Sequence, residues 1–400
     1  MPGCASRDTR VKIMSSYDWR VESHQTGSVE CYKIHLRWEW TNARRWEYYP
    51  ADFLERSYFA YPETVHVGTE ARMSTDKCVG LALLALGVAF TTGCERHSNK
   101  EVFYLISSNM ALPYWQNAAK GFNQAAALYK VTAKVVGPEN YDPQAELAEL
   151  QKAVAAKPGG VLISVADVSV LGPGIDAAVA AGVPVITMDS DAVGSKRLFF
   201  IGTNNLEAGR MGGHRVVEQL GGSGNVVFFT IAGQPNMEER LKGFKDVLET
   251  RPNIHIVDVI DIKSDARTAF DKAQELMALT GPKKVNAFIC LESASGKMVS
   301  DAVKRTNGTD RVVVAWDVNP DTLNGIKDGS INATVAQKPF TMGFIGLRSL
   351  DQVFHNPPAS LTKDYSQDAF SPFPVFIDTG TSLVDKRNVD AYLESAQAHQ

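Results

Sequence analysis

Two short apolar runs end abruptly in carboxylates. Val183-Pro184-Val185-Ile186-Thr187-Met188 leads into Asp189-Ser190-Asp191, and Val312-Val313-Val314-Ala315-Trp316 leads into Asp317. Carboxylates placed this way can accept hydrogen bonds from a hydroxylated ligand, act as an acid and base on a glycosidic bond, or simply cap the helix that follows. Both runs are β-branched and continuously apolar, the pattern of a strand buried on both faces of a parallel sheet. Open α/β sheets place ligands at the carboxyl ends of such strands. Two of them, over a hundred residues apart, predict two lobes facing each other across a ligand.

The elements that must carry these strand ends recur from Glu101 onward. Strands are predicted at 102–107, 131–136, 161–164 and 183–188. Between them, a helix opens at Pro113 and runs to Ala125, another starts at Asp142-Pro143, and a third spans 175–181 and stops at Gly182. A second copy follows Phe199–Asn205: strands at 226–230, 254–259, 287–291, 312–316 and 333–337 alternate with helices around Arg215 and at 238–248, 266–279 and 296–303. A helix around 343–353, a loop-like 355–373, a strand at 376–378 and a helix around 389–393 close the chain. This βαβ repetition predicts an α/β fold of two similar doubly wound parallel-sheet lobes.

A chain of 400 residues is long enough for two domains, and a net charge of −4 gives no electrostatic reason for a nucleic acid or an anionic membrane as partner. Of the five cysteines (Cys4, Cys31, Cys78, Cys94, Cys290), only Cys290 lies in the predicted folded body, so no disulfide is expected within it. Residues 1–72 hold four of the six tryptophans among scattered arginines and show no helical or strand periodicity. After Met73 comes an apolar run, Val79–Phe90, too short to span a bilayer but suited to a secretory signal, then Thr91-Thr92-Gly93-Cys94. Gly93-Cys94 resembles a bacterial lipobox, so 73–94 is expected to be a lipoprotein signal with Cys94 lipidated. On that reading translation starts at Met73 and 1–72 is an unassigned extension created by the choice of an upstream start.

From Glu101 to about Gln337 the chain resembles the ribose-binding class of periplasmic sugar-binding proteins that feed ABC importers. The resemblance rests on pieces in the correct order: Leu112-Pro113-Tyr114-Trp115; Val185–Asp189; Asn204-Asn205 with Gly212-Gly213; Ala232-Gly233 and Arg240-Leu241-Lys242-Gly243-Phe244; Val314–Asp317 with Pro320-Asp321; Asp328-Gly329; and Ala336-Gln337-Lys338-Pro339. It implies two lobes, 101–203 plus 338–373 and 204–337 plus 374–400, with crossings near Thr203–Asn204, Gln337 and Pro374–Phe376.

The resemblance also implies the site. Asp189 and Asp317 would take ring hydroxyls from opposite lobes, Arg240 would donate to sugar oxygens, Gln337 would bridge near the hinge, and Tyr114 and Trp115 would stack on the sugar. Asn236 and Glu292 are further contacts, while Trp316 is open between core and platform. Ser190 stands where ribose binders carry a cation, and Ser164 and Leu112 replace amide-bearing residues. A site that keeps several acids and loses one cation disfavours an anion, so the expected ligand is a neutral monosaccharide or polyol.

The implied partner is the membrane permease of an ABC importer. The protein is expected to be a monomer outside the cytoplasm, touching the membrane only through a lipid anchor. No cofactor is expected, because no nucleophile elbow, phosphate loop or metal-ligand spacing is present, and Asp189 with Asp191 makes too few ligands for calcium. A receptor for a signalling furanose and the effector core of a LacI-type transcription regulator are the alternatives. The latter needs a helix-turn-helix that 1–72 does not show.

Overall fold

The computed structural model describes residues 18–26, 29–37 and 97–398, and the chain divides after Leu84 into two units. In the first unit, β1 (Asp18–Thr26) pairs antiparallel with β2 (Val29–Arg37), from Asp18 opposite Arg37 to Thr26 opposite Val29. This corrects the expectation that 1–72 lacks strand periodicity. Tyr32, Ile34 and Leu36 alternate with polar Lys33 and His35 at period two, a signal that the scattered tryptophans and arginines obscured. The predicted signal at 73–94, including Cys94, lies outside the described residues.

The second unit holds two six-stranded sheets. The N-terminal sheet contains β3 (Val102–Ile106), β4 (Thr132–Val136), β5 (Gly160–Ile163), β6 (Val185–Met188) and β7 (Phe200–Gly202). The C-terminal sheet contains β8 (Gly224–Thr230), β9 (Ile254–Asp261), β10 (Val285–Cys290), β11 (Val312–Trp316) and β12 (Ala333–Ala336). The last two strands, β13 (Phe376–Asp378) and β14 (Ser382–Asp385), complete one sheet each. The orders are β4-β3-β5-β6-β7-β13 and β9-β8-β10-β11-β12-β14, the same winding twice, parallel throughout except for antiparallel β12 and β14. The carboxyl ends on either side of the point where strand order reverses are where such sheets bind ligands.

The helices are α1 (Pro113–Tyr129), α2 (Pro143–Ala155), α3 (Val168–Ala180), α4 (Asn205–Leu220), α5 (Pro235–Leu248), α6 (Ala266–Met277), α7 (Ser295–Arg305), α8 (Pro320–Asp328), α9 (Pro339–His355) and α10 (Val389–Ala398). Helices cover both faces of each sheet, so β5, β6, β11 and β12 are buried at every position. Helix α3 starts seven residues before the predicted 175. Gly172-Pro173-Gly174 reads as a breaker, yet Asp167 caps the helix by accepting from Ser169 N–H, and buried Leu171 and Ile175 hold it on the sheet.

The chain passes between sheets at 203–204 and 337–338. The third passage differs from the prediction at 374–376: Phe376 pairs with Phe200 in the N-terminal sheet and stacks on its ring at 5.2 Å. Thr379 then holds the turn, donating to Gly202 O from its N–H (2.8 Å) and its hydroxyl (2.9 Å). Only after it does the chain enter the C-terminal sheet as β14, so 374–378 belongs with the N-terminal lobe. The strand β14 and the helix α8 were not anticipated.

Candidate functional site

The carboxyl ends of the two sheets face each other across a cleft with about 450 Å3 of free space, the solvent at its mouth included. All eight residues singled out from sequence for the ligand site line it: Tyr114, Trp115, Asp189, Asn236, Arg240, Glu292, Asp317 and Gln337.

Asp189 and Asp317 occupy equivalent places, one residue past β6 and β11, and both have left-handed backbone, with φ of 63° and 65°. At Asp189 the Ser190 N–H donates to Met188 O at 2.7 Å, closing a tight turn around the aspartate. Non-glycine residues at such φ cost on the order of 1–3 kcal/mol and persist where the surroundings impose them. The consequence is that neither carboxylate caps a helix. Asp189 accepts from Tyr114 Oη (2.7 Å) and Asn236 Nδ2 (3.3 Å), with Ser164 Oγ at 3.5 Å, and Asp317 accepts from Gln337 Nε2 (2.9 Å). Asn236 starts α5 of the opposite lobe, so its bond to Asp189 crosses the cleft.

Asp191 has a different fate. Both its oxygens accept from the Nε–Nη2 edge of Arg197, and it accepts from Thr187 Oγ1 (2.6 Å) and its neighbour Ala192 N–H (2.8 Å), so it is committed to holding its own loop. Ser190 is buried, and its hydroxyl has no hydrogen-bond partner among the described residues.

Arg240 is the cation of the cleft, and a pair of glycines sets its position. A Cβ on Gly243 would lie 2.2 Å from Leu206 O, and one on Gly209 would lie 2.2 Å from Arg240 O. Only glycine therefore lets α4 and α5 come together so closely, which brings Asn205 of α4 against Arg240 of α5. Arg240 Nε donates to Asn205 Oδ1 (2.9 Å), Nη1 to Leu291 O (2.8 Å) and Nη2 to Gln337 Oε1 (3.1 Å); Asp189 Oδ1 lies 3.9 Å from Nη2. The guanidinium sits 4.4 Å over the Trp316 ring. Trp316 is fully buried in the C-terminal core and does not line the cleft, so it is a platform for Arg240. Gln337 joins the polar groups: it accepts from Thr203 Oγ1 (2.9 Å) and Arg240, and donates to Asp317. Two of the three passages between lobes thus meet in one hydrogen-bonded group.

Glu292 lies at the end of β10 and lines the cleft, but its two oxygens accept from Ala294 and Ser295 N–H at 2.6 Å each, at the start of α7. Tyr114 and Trp115 meet edge to face at 5.1 Å; Trp115 is mostly in the N-terminal core, and the Tyr114 hydroxyl serves Asp189. Ser108, Asn109, Tyr141, Gln234, Ser264 and Ser293 also line the cleft and were not anticipated. Ser108 and Asn109 follow β3 as Asp189 follows β6, so the strand-end signal used for the aspartates was present there too. Tyr141 and Gln234 lie on loops with no periodic pattern.

Burial dominates the electrostatics. It raises the Asp317 pKa from 3.8 to about 7 against the pull of Arg240 and Gln337, and it raises Asp189 against the pull of Arg240. Tyr114 is pushed well above 10.0 by burial and then by the two aspartates. Three acids and one already bonded arginine leave the cleft rich in acceptors and poor in free positive charge. A ligand carrying several hydroxyl donors satisfies such a surface, whereas an anion does not.

The profile of the family described as periplasmic binding protein domain matches residues 103–356. The ribose import binding protein of Bacillus subtilis is 24% identical over 297 residues, covering 70% of this chain and 94% of that one. An arabinose-binding protein from Geobacillus stearothermophilus superposes with a TM-score of 0.62 at 30% identity, covering 73% of this chain and 99% of its own. A sugar-binding protein of a sugar ABC transporter from Bacillus halodurans gives 0.64 at 32%, with the same coverage. Matched through both lobes, with strand ends that meet across a cleft, the chain belongs to the periplasmic binding protein family.

Proposed function

We propose that the cleft captures one neutral monosaccharide or polyol and that the protein delivers it to the membrane permease of an ABC-type importer. The family's members are solute-binding proteins that act outside the cytoplasm, and this protein is one of them and not an enzyme. The observation that carries the ligand reading is the pair Asp189 and Asp317. These two buried carboxylates come from opposite lobes, and both are held in strained backbone that aims them at the same space. Relatives named for ribose and for arabinose support a small sugar.

In this reading Asp189 and Asp317 accept ring hydroxyls, Arg240 and Asn236 donate, and Gln337 serves either sense. Tyr114 and Trp115 present aromatic surface to the C–H faces, and Glu292 contributes less, because backbone N–H groups already occupy it. Contacts from both lobes exist only when the cleft is closed, so ligand shifts an open–closed equilibrium toward closure. The test is a thermal-shift and calorimetric screen of neutral pentoses, hexoses and polyols beside sugar acids and sugar phosphates. A neutral sugar raising the midpoint and binding with one-to-one stoichiometry is the expected result. Binding confined to the acids overturns the charge argument.

Attachment through a lipidated Cys94 belongs to the same proposal and rests on the apolar run 79–90 before Gly93-Cys94. Cys94→Ser is expected to move the protein from the membrane fraction of its host to the soluble fraction. Retention of the variant in the membrane fraction overturns the anchor.

A further inference from the structure

Away from the cleft, the N-terminal lobe brings together two histidines and two acids that sugar binding does not use. Asp351 and His355 are one helical turn apart near the end of α9, on one face of that helix. They lie roughly 20 Å along its axis from the end that leaves the cleft. His97 reaches them from the segment before β3. Its Nε2 lies 3.1 Å from Asp351 Oδ2, and His355 Nδ1 lies 3.5 Å from Asp351 Oδ1. Potential ligand atoms of the three side chains all lie within 4.8 Å of one another. Behind them, Glu101 Oε2 lies 3.4 Å from His355 Nε2. The Tyr129 ring packs on His97 at 5.3 Å and the Phe354 ring on His355 at 5.2 Å, walling the group on two sides.

We propose that His97, Asp351 and His355 bind a divalent transition-metal cation of the Zn2+ class, with Glu101 orienting His355. Two imidazoles and a carboxylate are a donor set for Zn2+, whereas Ca2+ and Mg2+ take oxygen ligands. A tetrahedral ion with bonds of about 2.0–2.1 Å has ligand–ligand edges of roughly 3.3–3.4 Å. The two histidines contact different oxygens of Asp351, at 3.1 and 3.5 Å, and with one ligand atom from each residue the three lie within 4.8 Å, so the imidazoles must turn slightly inward to reach those edges.

Unpaired buried oxygens point the same way independently. Asp351 is 6% exposed, and among the described residues its Oδ1 has no hydrogen-bond partner and faces His355 Nδ1 at 3.5 Å; Glu101 Oε2 is likewise buried without one and faces His355 Nε2 at 3.4 Å. Both ring nitrogens of His355 face oxygens: Nε2 faces Glu101, and Nδ1 faces the Asp351 carbonyl at 3.0 Å and its carboxylate. A neutral imidazole has one N–H. A neutral ring can therefore donate from only one of these nitrogens, and a cation shared by Nδ1 and the Asp351 carboxylate would satisfy the oxygens on that side while Nε2–H faces Glu101. The Glu101–His355 contact then becomes the carboxylate–imidazole pair that commonly orients a metal-bound histidine. The ion ties the segment at His97 to the last turns of α9, far from the sugar site, so its binding does not depend on the ligand reading.

The test uses the full chain without a histidine tag, stripped with chelator. It is titrated calorimetrically with ZnCl2 and, separately, with CoCl2 while the visible spectrum is followed. One equivalent of Zn2+ is expected, with strong Co2+ d–d bands of a four-coordinate site and a rise in the thermal midpoint. His97→Gln and His355→Gln should each weaken Zn2+ binding about tenfold or more and abolish the Co2+ bands, and Glu101→Gln should weaken it about tenfold. His97 is partly exposed, so its variant folds even if Asp351 variants do not. No uptake by the wild-type chain, or uptake that both histidine variants leave intact, overturns the proposal.

Discussion

Replacing Asp317 by asparagine separates the cost of burying a carboxylate from its use. In the closed cleft Asp317 has one side-chain hydrogen-bond partner among the described residues, Gln337 at 2.9 Å, and burial lifts its pKa from 3.8 to about 7. The closed form therefore binds a proton at this site more tightly than the open or unfolded chain does. Its contribution favours closure fully below about pH 4, and the advantage is lost as pH rises through about 7. At about 1.4 kcal/mol per pKa unit, the charged carboxylate disfavours the ligand-free closed form by roughly 4 kcal/mol above that pH. Opening rehydrates Asp317 without unfolding the lobes, so the penalty falls mainly on the open–closed equilibrium.

The ligand-free protein is then expected to be more closed at pH 5.5 than at pH 8, read as a smaller radius of gyration by solution X-ray scattering. Asp317→Asn carries no charge to bury. It should be compact across that range, retaining only the slope due to Asp189, and its ligand-free thermal midpoint at pH 8 should rise. Sugar affinity should fall by about 2 kcal/mol, near thirtyfold, because a charged acceptor for hydroxyls is gone. A wild-type scattering profile that ignores pH, or a variant that keeps the full wild-type slope, refutes the reasoning.

Other substitutions divide the site along the same lines. Asp191→Asn breaks the pair with Arg197 and should cost on the order of 3 kcal/mol of stability in denaturant titration while leaving sugar affinity within about twofold. Asp189→Asn, two residues away, should do the reverse. Gly243→Ala drives a methyl group against Leu206 O, separates α4 from α5 and moves Arg240; a loss of about 1–3 kcal/mol in stability together with weaker sugar binding is expected. Glu292→Ala removes two bonds at the start of α7 and should cost about 1 kcal/mol of stability, with a smaller effect on affinity than Asp317→Asn.

Much of the fold was legible because burial on both faces leaves its mark on composition. The runs at 161–163, 185–188 and 312–316 contain almost no polar residues, and alternation with amphipathic helices specifies parallel pairing. Boundaries were less legible where tertiary contacts override local preference. Gly172-Pro173-Gly174 is helical only because Asp167 caps α3 and its apolar side chains are buried, and Phe376 belongs to the N-terminal sheet because Phe200 is there to stack on it. In the site, strand-end aspartates could be found by position, but nothing local distinguished Asp189 from Asp191. Arg197, packed against the second, decides that difference.

By itself the sequence determined the repeated α/β winding, the two strand ends that carry Asp189 and Asp317, and the eight residues that reach the cleft. The winding and the two strand ends follow from local periodicity and from residue types at the ends of strands, whereas the other cleft residues were reached through the resemblance to sugar-binding proteins. Tertiary structure alone decided what each polar group does there: Trp316 supports Arg240, Glu292 is occupied by backbone N–H groups, and Gln337 joins Thr203, Arg240 and Asp317. It also assembled His97 with Asp351 and His355 from opposite ends of the lobe, where no metal-ligand spacing was visible. Hydrogen bonds, desolvation and ion pairing act across a few ångströms of space, and residues that close can be separated by most of the chain.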